Sequence, residues 1–560
     1  MGINFPLGIE MFSEIREYNY YYIDKTEFIN ELLNNPFKVN LITRPRRFGK
    51  TLTMSMLEDF FDISRDSREH FAGLKIAERT ALCEEEMNQY PVIFLSLKGV
   101  EGLDFEGAYG MLELLIANIC KKYSFLHQSE KVNTADKAIF KKLEFQEASQ
   151  TEIKGSLQLL TRMLSAHYGK QTILLIDEYD VPLAKANEEG YYREMLDMIR
   201  AMLGAALKTN EYLKFAVITG CLKISKESIF TGLNNVVANT ITVERFDEYI
   251  GFTEEDVQNI LSDAGFLDHA EEVKVWYDGY RFGNVNVYCP WDVLNHAAAL
   301  QDNPLTLPQN YWAATSHNTV IYKLFENKEF NVNGKFETLM EGGYIQEIIT
   351  EDLTYDTLEA SEENLWSLLF MTGYLTQAGE VKMEAAGGQY EVNEKMVALC
   401  IPNEEVKTIF KKTIVDWFMK EVQKVDRTRI FHALWEGDAE TAAAAISDLL
   451  FASISYHDYR ESYYHAFVAG LFAGTGYIVE SNYEYGDGRP DVVIKEMRNR
   501  RVMLFEVKHA NKDETLEQAC GKAVEQIKEK RYAQAFDGYR TIISYGVAFK
   551  GKDCMIRIYE

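Results

Sequence analysis

A chain of 560 residues is several times the size of a usual domain, so the sequence predicts at least two hydrophobic cores. Apolar residues make up 47% and charged residues 26%, which excludes a disordered or fibrous protein. The net charge of -27 argues against a chain that coats nucleic acid non-specifically, because phosphate binding needs a basic surface.

The acidic excess is confined to the first 450 residues, since the segment from Phe451 onward has 16 basic and 16 acidic residues. The start of the chain has no secretory pattern, and no apolar run reaches the roughly 18 to 20 residues of a membrane span. Seven cysteines are scattered with no close pair, which argues against a zinc knuckle or a redox dithiol. Together these features predict a cytoplasmic protein without a membrane partner.

The first half of the sequence alternates short β-branched or apolar runs with helical stretches. This alternation predicts a doubly wound α/β fold with a parallel sheet. The predicted strands are Lys38 to Thr43, Val92 to Leu97, Thr172 to Asp177, Lys214 to Thr219 and Asn239 to Val243. After them, Thr253 and Asp256 have the spacing of a capping box, which predicts the first helix of a lid.

The first predicted strand leads directly into a basic loop and then a helix, the context that a phosphate-binding loop requires. The loop reads Arg-Pro-Arg-Arg-Phe-Gly-Lys-Thr from Arg44 to Thr51, so arginine stands where the usual pattern has its first glycine. Gly49 allows close approach of the backbone, Lys50 reaches the outer phosphates and Thr51 can ligate Mg²⁺. The residues expected to bind the nucleotide here are Arg46, Arg47, Phe48, Gly49, Lys50 and Thr51. Taken alone, the run is also compatible with a basic loop on a surface helix.

The third predicted strand ends in two acids, as a Walker B strand does. Asp177 is expected to hold the Mg²⁺ shell and Glu178 to polarise the attacking water. The next strand ends at Thr219, a polar residue placed to sense the γ-phosphate. These strand ends share one sheet edge, where ligands of parallel α/β sheets bind.

A second acidic cluster with a lysine lies near the carboxyl terminus. Turn residues around Asn499 predict a hairpin whose strands bring Asp491, Glu506 and Lys508 together, with Glu506 and Lys508 on one face. Two carboxylates can hold a divalent cation while the lysine orients water or stabilises developing charge.

Three neighbouring residues have less certain roles. Glu461, on the preceding helix, is expected to add a metal-directed carboxylate. Gln526, on a following amphipathic helix, is either a site residue or a solvated one. His465 lies among Tyr463, Tyr464 and Phe467, which favours a packing role over a ligand role.

These motifs together resemble the bacterial and archaeal AAA-ATPase-like family with a C-terminal PD-(D/E)XK nuclease-superfamily domain. The loop with Arg44 in place of glycine looks like that family's own variant, whereas Lys223 stands where the resemblance leads us to expect arginine. The similar stretches are Tyr22 to Thr26, Arg44 to Thr51, Leu175 to Leu183, Lys226 to Phe230, Trp276 to Gly283, Pro290-Trp291, Leu365 to Leu375, Gly488 to Asp491 and Glu506 to Lys508.

The resemblance implies a P-loop ATPase core over residues 1–250, a helical lid over 251–310 and a restriction-endonuclease-like α/β domain over 451–560. Residues 311–450 are expected to form a mixed, winged-helix-like region, with a hairpin from Lys382 to Val392. The implied cofactors are ATP and Mg²⁺. The implied substrate is nucleic acid, and DNA is expected rather than RNA.

Two functions remain open on this sequence. In the first, ATP binding controls a Mg²⁺-dependent nuclease, and by analogy the setting is defence against mobile elements or phage. In the second, the chain is a nucleotide switch or scaffold whose last domain binds nucleic acid or protein without cutting. The acidic first 450 residues favour protein partners or a homo-oligomer over a long DNA track. A plain ATPase with a degenerate tail is the weakest alternative, because Asp491, Glu506 and Lys508 are all present.

Overall fold

The computed structural model describes residues 2–35, 37–224, 229, 234–312, 321, 332–355, 357–358, 361–378, 396–413, 426–453, 461–472, 476–481, 490–511 and 513–559. The side chains of residues 333, 337, 452–453, 461–463, 466 and 481 lie outside this description. The chain divides into two compact units. Unit 1 comprises Met1–Val320 and Gly342–Thr408, and unit 2 comprises Ile321–Glu341 and Ile409–Glu560.

The α-helices named in this work are numbered in chain order. They are α1 Phe12–Glu17, α2 Glu27–Asn34, α3 Lys50–Phe61, α4 Arg68–Phe71, α5 Thr80–Glu86, α6 Phe105–Lys122, α7 Thr134–Glu144, α8 Gln150–Lys154, α9 Ser156–Tyr168, α10 Val181–Glu189, α11 Tyr192–Leu207, α12 Glu254–Ala264, α13 Ala270–Tyr277, α14 Pro290–Asp302, α15 Asn333–Met340, α16 Glu362–Met371, α17 Thr428–Glu436, α18 Ala439–Ser453, α19 Glu461–Phe472 and α20 Leu516–Lys530. A further helical stretch begins at residue 404.

The strands are numbered in the same way. They are β1 Val39–Thr43, β2 Val92–Ser96, β3 Thr172–Asp177, β4 Leu213–Gly220, β5 Val236–Asn239, β6 Tyr280–Phe282, β7 Val285–Val287, β8 Ile345–Ile348, β9 Thr376–Gln377, β10 Met396–Cys400, β11 Ile478–Ser481, β12 Val492–Glu496, β13 Arg501–His509, β14 Thr541–Lys550 and β15 Asp553–Tyr559.

The main sheet of unit 1 is parallel and has the order β2-β3-β4-β1-β5. Every residue of β1 and β3 is buried, as expected for central strands covered on both faces by helices. The predicted α/β class is therefore confirmed. Because β4 lies between β1 and β3, its carboxyl end meets the loops that follow both of those strands.

The fifth predicted strand, Asn239 to Val243, was misplaced: β5 is Val236–Asn239, so the prediction begins three residues and ends four residues too late, and residues 241–244 form a turn and a bend. The Thr240 and Thr242 hydroxyls bond to the Glu351 carboxylate instead of continuing a strand face. A tertiary contact to a residue more than 100 positions away decides this boundary, so local β propensity could not show it.

Two smaller sheets are also present among the described residues of unit 1. They are the antiparallel pair β6-β7 and the antiparallel sheet β8-β10-β9. The predicted capping box is present at α12, where the Thr253 and Asp256 side chains each bond to the other's backbone amide. The predicted hairpin from Lys382 to Val392 lies outside the described residues, and the division at residues 250, 310 and 450 stays a prediction.

Unit 2 contains a mixed sheet of order β11-β12-β13-β14-β15, in which only the β13-β14 pair is parallel. The strands β12 and β13 form the predicted hairpin. One face of this hairpin packs on α20 and the 3-10 helix Tyr532–Phe536 through a core of Val493, Val502, Leu504, Ile527, Tyr532 and Phe536. In the part of the chain that the structure describes, no helix combines the length and apolar character that crossing a bilayer requires.

Candidate functional site

A cavity of about 560 Å³ lies in unit 1 over the loop between β1 and α3. Gly49 has φ 91°, a left-handed conformation that glycine adopts without steric cost, and Arg47 has φ 70°. The loop therefore turns sharply before α3 begins at Lys50, and the first residues of that helix line the cavity, where free amides of a helix start can bind an anion.

Arg44, which replaces the first loop glycine, is buried, and its guanidinium binds the protein's own backbone. Its guanidinium donates to the carbonyls of Thr43 and Asn239 at 2.8 and 3.0 Å and to Phe246 at 3.1 Å. Burial lowers the pKa of Arg44 to about 10. The side chain thus fixes the loop to β5 and to the turn after it.

Lys50 lines the cavity, but its ammonium group is bound to the loop itself. Lys50 Nζ donates to the carbonyls of Arg44 at 3.0 Å and Pro45 at 2.9 Å. The side chain is buried, and Cys221 Sγ lies 3.8 Å from Nζ. A phosphate that engages Lys50 must therefore compete with two backbone carbonyls.

Asp177 joins the ends of three parallel strands to α3. Its Oδ2 accepts from Thr51 Oγ1 at 2.9 Å and from Ser96 Oγ at 3.4 Å, and its Oδ1 accepts from Thr219 Oγ1 at 2.5 Å. The structure therefore brings Thr51, Asp177 and Thr219 together in one hydrogen-bonded group. Ser96, at the end of β2, is a member of this group that the sequence pattern did not indicate.

Glu178 lies beside this group and lines the cavity. Burial raises the pKa of its carboxyl, and the charges of Asp177 and Asp180 act in the same direction, while Lys50 opposes them. Its φ of 50° is uncommon for a residue with a side chain and is typical of functional positions. A carboxylate held there can act as a general base toward water in the cavity.

The other loop residues divide into exposed and buried side chains. Arg46 is exposed, whereas Phe48 is buried and packs on Tyr280 and Phe282 with centroids 5.0 and 5.1 Å apart. Only the backbone of Phe48 is thus available to a phosphate. Arg47 stacks at 4.0 Å on the ring of Trp291, which also lines the cavity.

Lys223, after β4, is paired with acids of the β8 region. Its Nζ is 3.1 Å from Asp352 Oδ1 and 4.0 Å from Glu351 Oε2. This ion pairing, together with the poorer geometry of lysine, gives no support to a finger role.

Sequence reasoning missed most of the apolar wall of the cavity. Tyr22, Ile23, Phe252 and Trp291 line it, and they come from segments far apart in the chain. Aromatic and aliphatic side chains of this kind suit the base and ribose of a nucleotide. The Pro290-Trp291 pair was visible in the sequence as a similar stretch, but no local pattern assigned it to this wall.

The second candidate site lies at the open end of the β12-β13 hairpin in unit 2. Because Val492 pairs with Phe505, Asp491 stands opposite Glu506, and both belong to the face that carries Val493 and Leu504. The Val507 amide donates to Asp491 Oδ2 at 2.7 Å. The structure thus brings the two carboxylates to one place.

Glu506 is fully buried and is held from two sides. Its Oε1 accepts from Lys508 Nζ at 3.0 Å and its Oε2 from the Tyr532 hydroxyl at 3.3 Å. Burial, aided by the charge of Asp491, raises the pKa of Glu506 to about 7. Gln526 reaches this carboxylate only through Tyr532, since its Nε2 lies 3.4 Å from the Tyr532 hydroxyl.

His465 belongs to the site, although aromatic neighbours in the sequence favoured a packing role. Its Nε2 is 3.1 Å from Asp491 Oδ2 and 3.3 Å from the Val507 carbonyl. Asp491 Oδ2 therefore has a partner on each side. Glu461 begins α19, the helix that carries His465, but its side chain lies outside the described residues.

Both sites have donors suited to Mg²⁺, which prefers hard oxygen ligands and usually keeps several waters beside one or two protein carboxylates. Thr51 and Asp177 supply adjacent hydroxyl and carboxylate oxygens, and Asp491 and Glu506 supply two carboxylates. Among the described residues, no group of three or more His, Cys, Asp or Glu side chains is arranged as a metal cage. These oxygen atoms fit a Mg²⁺ ion whose remaining ligands come from substrate and water.

Comparison with known families decides what these two sites belong to. Residues 6–230 match the family described as "Predicted AAA-ATPase", and residues 459–558 match the "PD-(D/E)XK nuclease superfamily". The chain joins an AAA-ATPase-like domain to a PD-(D/E)XK nuclease-superfamily domain. The first candidate site lies within the ATPase-like domain and the second within the nuclease-like domain.

A relative from Azotobacter chroococcum mcd 1 is similar over nearly the whole chain. It is described as an uncharacterized protein in the vnfD 5' region and is 27% identical over 545 residues. The similarity covers 95% of this chain and 93% of the relative, so both domains and the region between them occur together there.

Proposed function

We propose that this protein binds and hydrolyses ATP in its ATPase-like domain and cuts phosphodiester bonds of nucleic acid with Mg²⁺ in its nuclease-like domain. The observation that carries the proposal is the buried Glu506 carboxylate, held by Lys508 opposite Asp491. Burial of a carboxylate has a high desolvation cost, and carboxylates buried in this way are typical of functional sites that use their charge.

In the ATPase-like domain the proposed chemistry follows from the positions of four side chains. Lys50 exchanges its loop carbonyls for the outer phosphates, and Thr51 and Asp177 are the residues that would hold Mg²⁺. Glu178 accepts a proton from the attacking water, and Thr219 keeps Asp177 oriented through its 2.5 Å bond. Mg²⁺, when bound, neutralises the phosphate charge.

In the nuclease-like domain Asp491 and Glu506 would hold the cation, and Lys508 stabilises charge on the phosphate or orients the attacking water. Tyr532 fixes Glu506 and Gln526 fixes Tyr532. His465 positions Asp491 through Oδ2. Glu461 is proposed as a further carboxylate of this site.

Cleavage of DNA and RNA by the purified protein with Mg²⁺ and ATP tests the proposal, with Lys50→Ala and Lys508→Ala as variants. Lys508→Ala should lose cleavage by at least about 100-fold while ATP hydrolysis continues. Lys50→Ala should lose ATP hydrolysis. Equal cleavage by all three proteins would refute the nuclease proposal.

One observation favours a second function, a nucleotide-controlled switch. Because Lys50 is bound to two loop carbonyls, ATP binding must rearrange the loop, which gives the domain two states. A switch of this kind predicts ATP-dependent changes in oligomeric state or partner affinity with cleavage at background. Size-exclusion chromatography with and without ATP, beside the cleavage assay, separates the two functions.

The proposed setting is defence against mobile elements or phage, in the cytoplasm of a bacterial cell. Phage should then form plaques less efficiently on cells that express the protein than on cells that express the Lys508→Ala variant. Equal plating efficiencies would contradict the proposed role in defence but would leave the proposed ATP hydrolysis and nucleic-acid cleavage untested by this experiment.

A further inference from the structure

Five exposed cationic side chains lie in the β12-β13 turn, residues 497–500, and in the segment from Lys530 to Arg540, and none of the five makes an ion pair within 4.0 Å among the described residues. They are Arg498, Arg500, Lys530, Arg531 and Arg540, here called the basic surface. In contrast, the neighbouring Arg501 is paired with Glu496 at 2.6 Å.

The basic surface has a defined geometry around the turn of the β12-β13 hairpin. The Arg540 amide donates to the Arg500 carbonyl at 2.7 Å, and the Arg500 side chain donates to the Gly538 carbonyl. The Tyr539 hydroxyl lies 3.7 Å from Met497 Sδ. The segment that carries Arg540 is thereby fixed against the turn that carries Arg498 and Arg500.

The same segment connects the basic surface with the nuclease-like site. Arg531 ends α20 in a left-handed conformation, with φ 49°, and the next residue is Tyr532, whose hydroxyl contacts Glu506. Phe536, at the other end of this 3-10 helix, accepts a backbone bond from Tyr539 beside the turn. One continuous stretch of about ten residues therefore runs from the acidic cluster to the arginines.

The register of the hairpin gives the spacing between the acidic cluster and the arginines around the turn. Asp491 and Glu506 lie at one end of the paired strands, and Glu496 pairs with Arg501 at the other end. Five strand residues at about 3.3 Å each separate them by roughly 16 Å. A duplex rises about 3.4 Å per base pair, so this separation corresponds to about five base pairs.

The charge balance around the basic surface is positive. Asp537 lies between Arg531 and Arg540, and Glu525, Lys528 and Glu529 are exposed on the last turns of α20, which makes three acids against six cations, while Glu496 is paired with Arg501. Guanidinium groups present forked donors that match the oxygens of a phosphodiester, whatever base the nucleotide carries. Such contacts position a nucleic acid without reading its sequence.

We propose that the basic surface binds the phosphodiester backbone of the nucleic-acid substrate, from Lys530 and Arg531 near the position where the strand is cut to the arginines around the β12-β13 turn about five base pairs away. The inference rests on the proposed nuclease function and adds the surface that holds the substrate. It also accounts for how an acidic protein binds a polyanion, since the five cations of the basic surface lie in the segment without net acidic charge.

Binding of short fluorescent DNA and RNA duplexes to the full chain tests this inference by anisotropy. The parent protein carries Asp491→Asn, so that the probe stays intact. Arg498→Gln, Lys530→Gln and Arg540→Gln are added together, because no described bond of the fold depends on these three side-chain termini. The matched control carries Lys121→Gln, Lys141→Gln and Lys208→Gln, three exposed cations of unit 1 with the same change in charge.

The surface variant should bind at least about tenfold more weakly at low salt, and the slope of log affinity against log salt should fall by about 2 to 3. The control should stay within about twofold of the parent. An equal loss on both duplexes assigns the surface to the shared backbone, and a loss on one assigns it to that nucleic acid.

Two results would overturn the inference in different ways. If the parent binds both duplexes and the surface variant binds them as the control does, the inference fails and the proposed function survives. If the parent binds neither duplex at any salt concentration, the proposed function fails and takes the inference with it. Charge reversal by Arg498→Glu alone, which should weaken binding as well, guards against a folding defect of the triple variant.

Discussion

At the scale of single residues, Arg44 shows how a phosphate-binding loop can be built without its first glycine. The guanidinium donates to three backbone carbonyls at 2.8 to 3.1 Å and holds the loop from behind. The turns that need a left-handed backbone fall at Arg47 and Gly49 instead. Arg44 therefore stabilises the loop, and its charged group binds backbone carbonyls inside the protein.

We predict that Arg44→Gly, which restores the usual loop pattern, destabilises the protein. Three carbonyls in a buried site lose their donor, which should lower the free energy of unfolding by about 2 to 4 kcal/mol. Urea denaturation followed by tryptophan fluorescence measures this change. The exposed neighbour Arg46→Gly serves as control and should cost under about 1 kcal/mol. Equal midpoints for Arg44→Gly and the unaltered protein would contradict the scaffold role.

Tyr532 is a positioning residue of the nuclease-like site that the sequence did not indicate. We predict that Tyr532→Phe slows cleavage by about 3- to 10-fold and weakens Mn²⁺ binding measured by calorimetry, since one hydrogen bond to a carboxylate contributes roughly 1 kcal/mol. Tyr539→Phe is the matched control, because its hydroxyl contacts only Met497 among the described residues. Unchanged Mn²⁺ affinity in Tyr532→Phe would show that the hydroxyl does not position Glu506.

The residues that sequence reasoning could place share one property: they belong to motifs with fixed local spacing. Lys50, Thr51 and Asp177 follow strand ends, and Glu506 and Lys508 alternate along one strand. Tyr532, His465 and Trp291 reach their sites by tertiary packing, and no spacing within their own segments predicts those positions. The roles of all these residues stay predictions until they are measured.

At the scale of elements, helix α14 and the stretch that begins at residue 404 meet through two buried carboxyls. Asp292 and Glu405 are both fully buried, and the Trp312 amide donates to Glu405 Oε1 at 2.8 Å. Burial raises the pKa of each carboxyl, and the charge of Asp292 raises the pKa of Glu405 further. The same α14 carries Trp291, which stacks on Arg47 of the phosphate loop.

This pair predicts a stability that falls as the pH rises. Both carboxyls have a folded pKa above the unfolded value of about 4, so the folded state holds more protons between that value and the raised ones. The stabilising contribution is complete at low pH and is lost as the pH rises through the folded pKa values. Glu405→Gln, which keeps an oxygen for the Trp312 amide, should flatten this dependence by more than about 1 kcal/mol between pH 5 and 8.

Chemical denaturation at a series of pH values, followed by tryptophan fluorescence, measures the effect. Glu404→Gln is the matched control, since Glu404 is more exposed and pairs with Lys407 at 3.6 Å. If Glu404→Gln and Glu405→Gln gave the same slope, the buried pair would not be the source of the pH dependence.

Elements with strong local signals were predicted well from the sequence. The capping box at Thr253 marks the start of α12, and the apolar run from Ile173 to Ile176 marks β3, because capping and central-strand burial are local properties. In contrast, β5 shifts because Thr240 and Thr242 bond to Glu351. Boundaries set by distant partners are outside the reach of a local pattern.

At the scale of the whole molecule, the distribution of charge agrees with two domains of different chemistry. The first 450 residues carry the whole acidic excess, and the segment that includes the nuclease-like domain is balanced. A nucleotide site needs only a local cradle of amides and one lysine, whereas a nucleic-acid site needs cations spread along a surface. In our proposal, the arginines around the β12-β13 turn supply such a surface in the second domain.

The most direct test of this account is the anomalous scattering of Mn²⁺ in crystals grown with a non-hydrolysable ATP analogue. We expect one peak beside Thr51 and Asp177, with the analogue's phosphates over the first amides of α3, and a second peak between Asp491 and Glu506. A nucleotide bound away from Lys50, or an absent peak at Asp491 and Glu506 under saturating Mn²⁺, would contradict it.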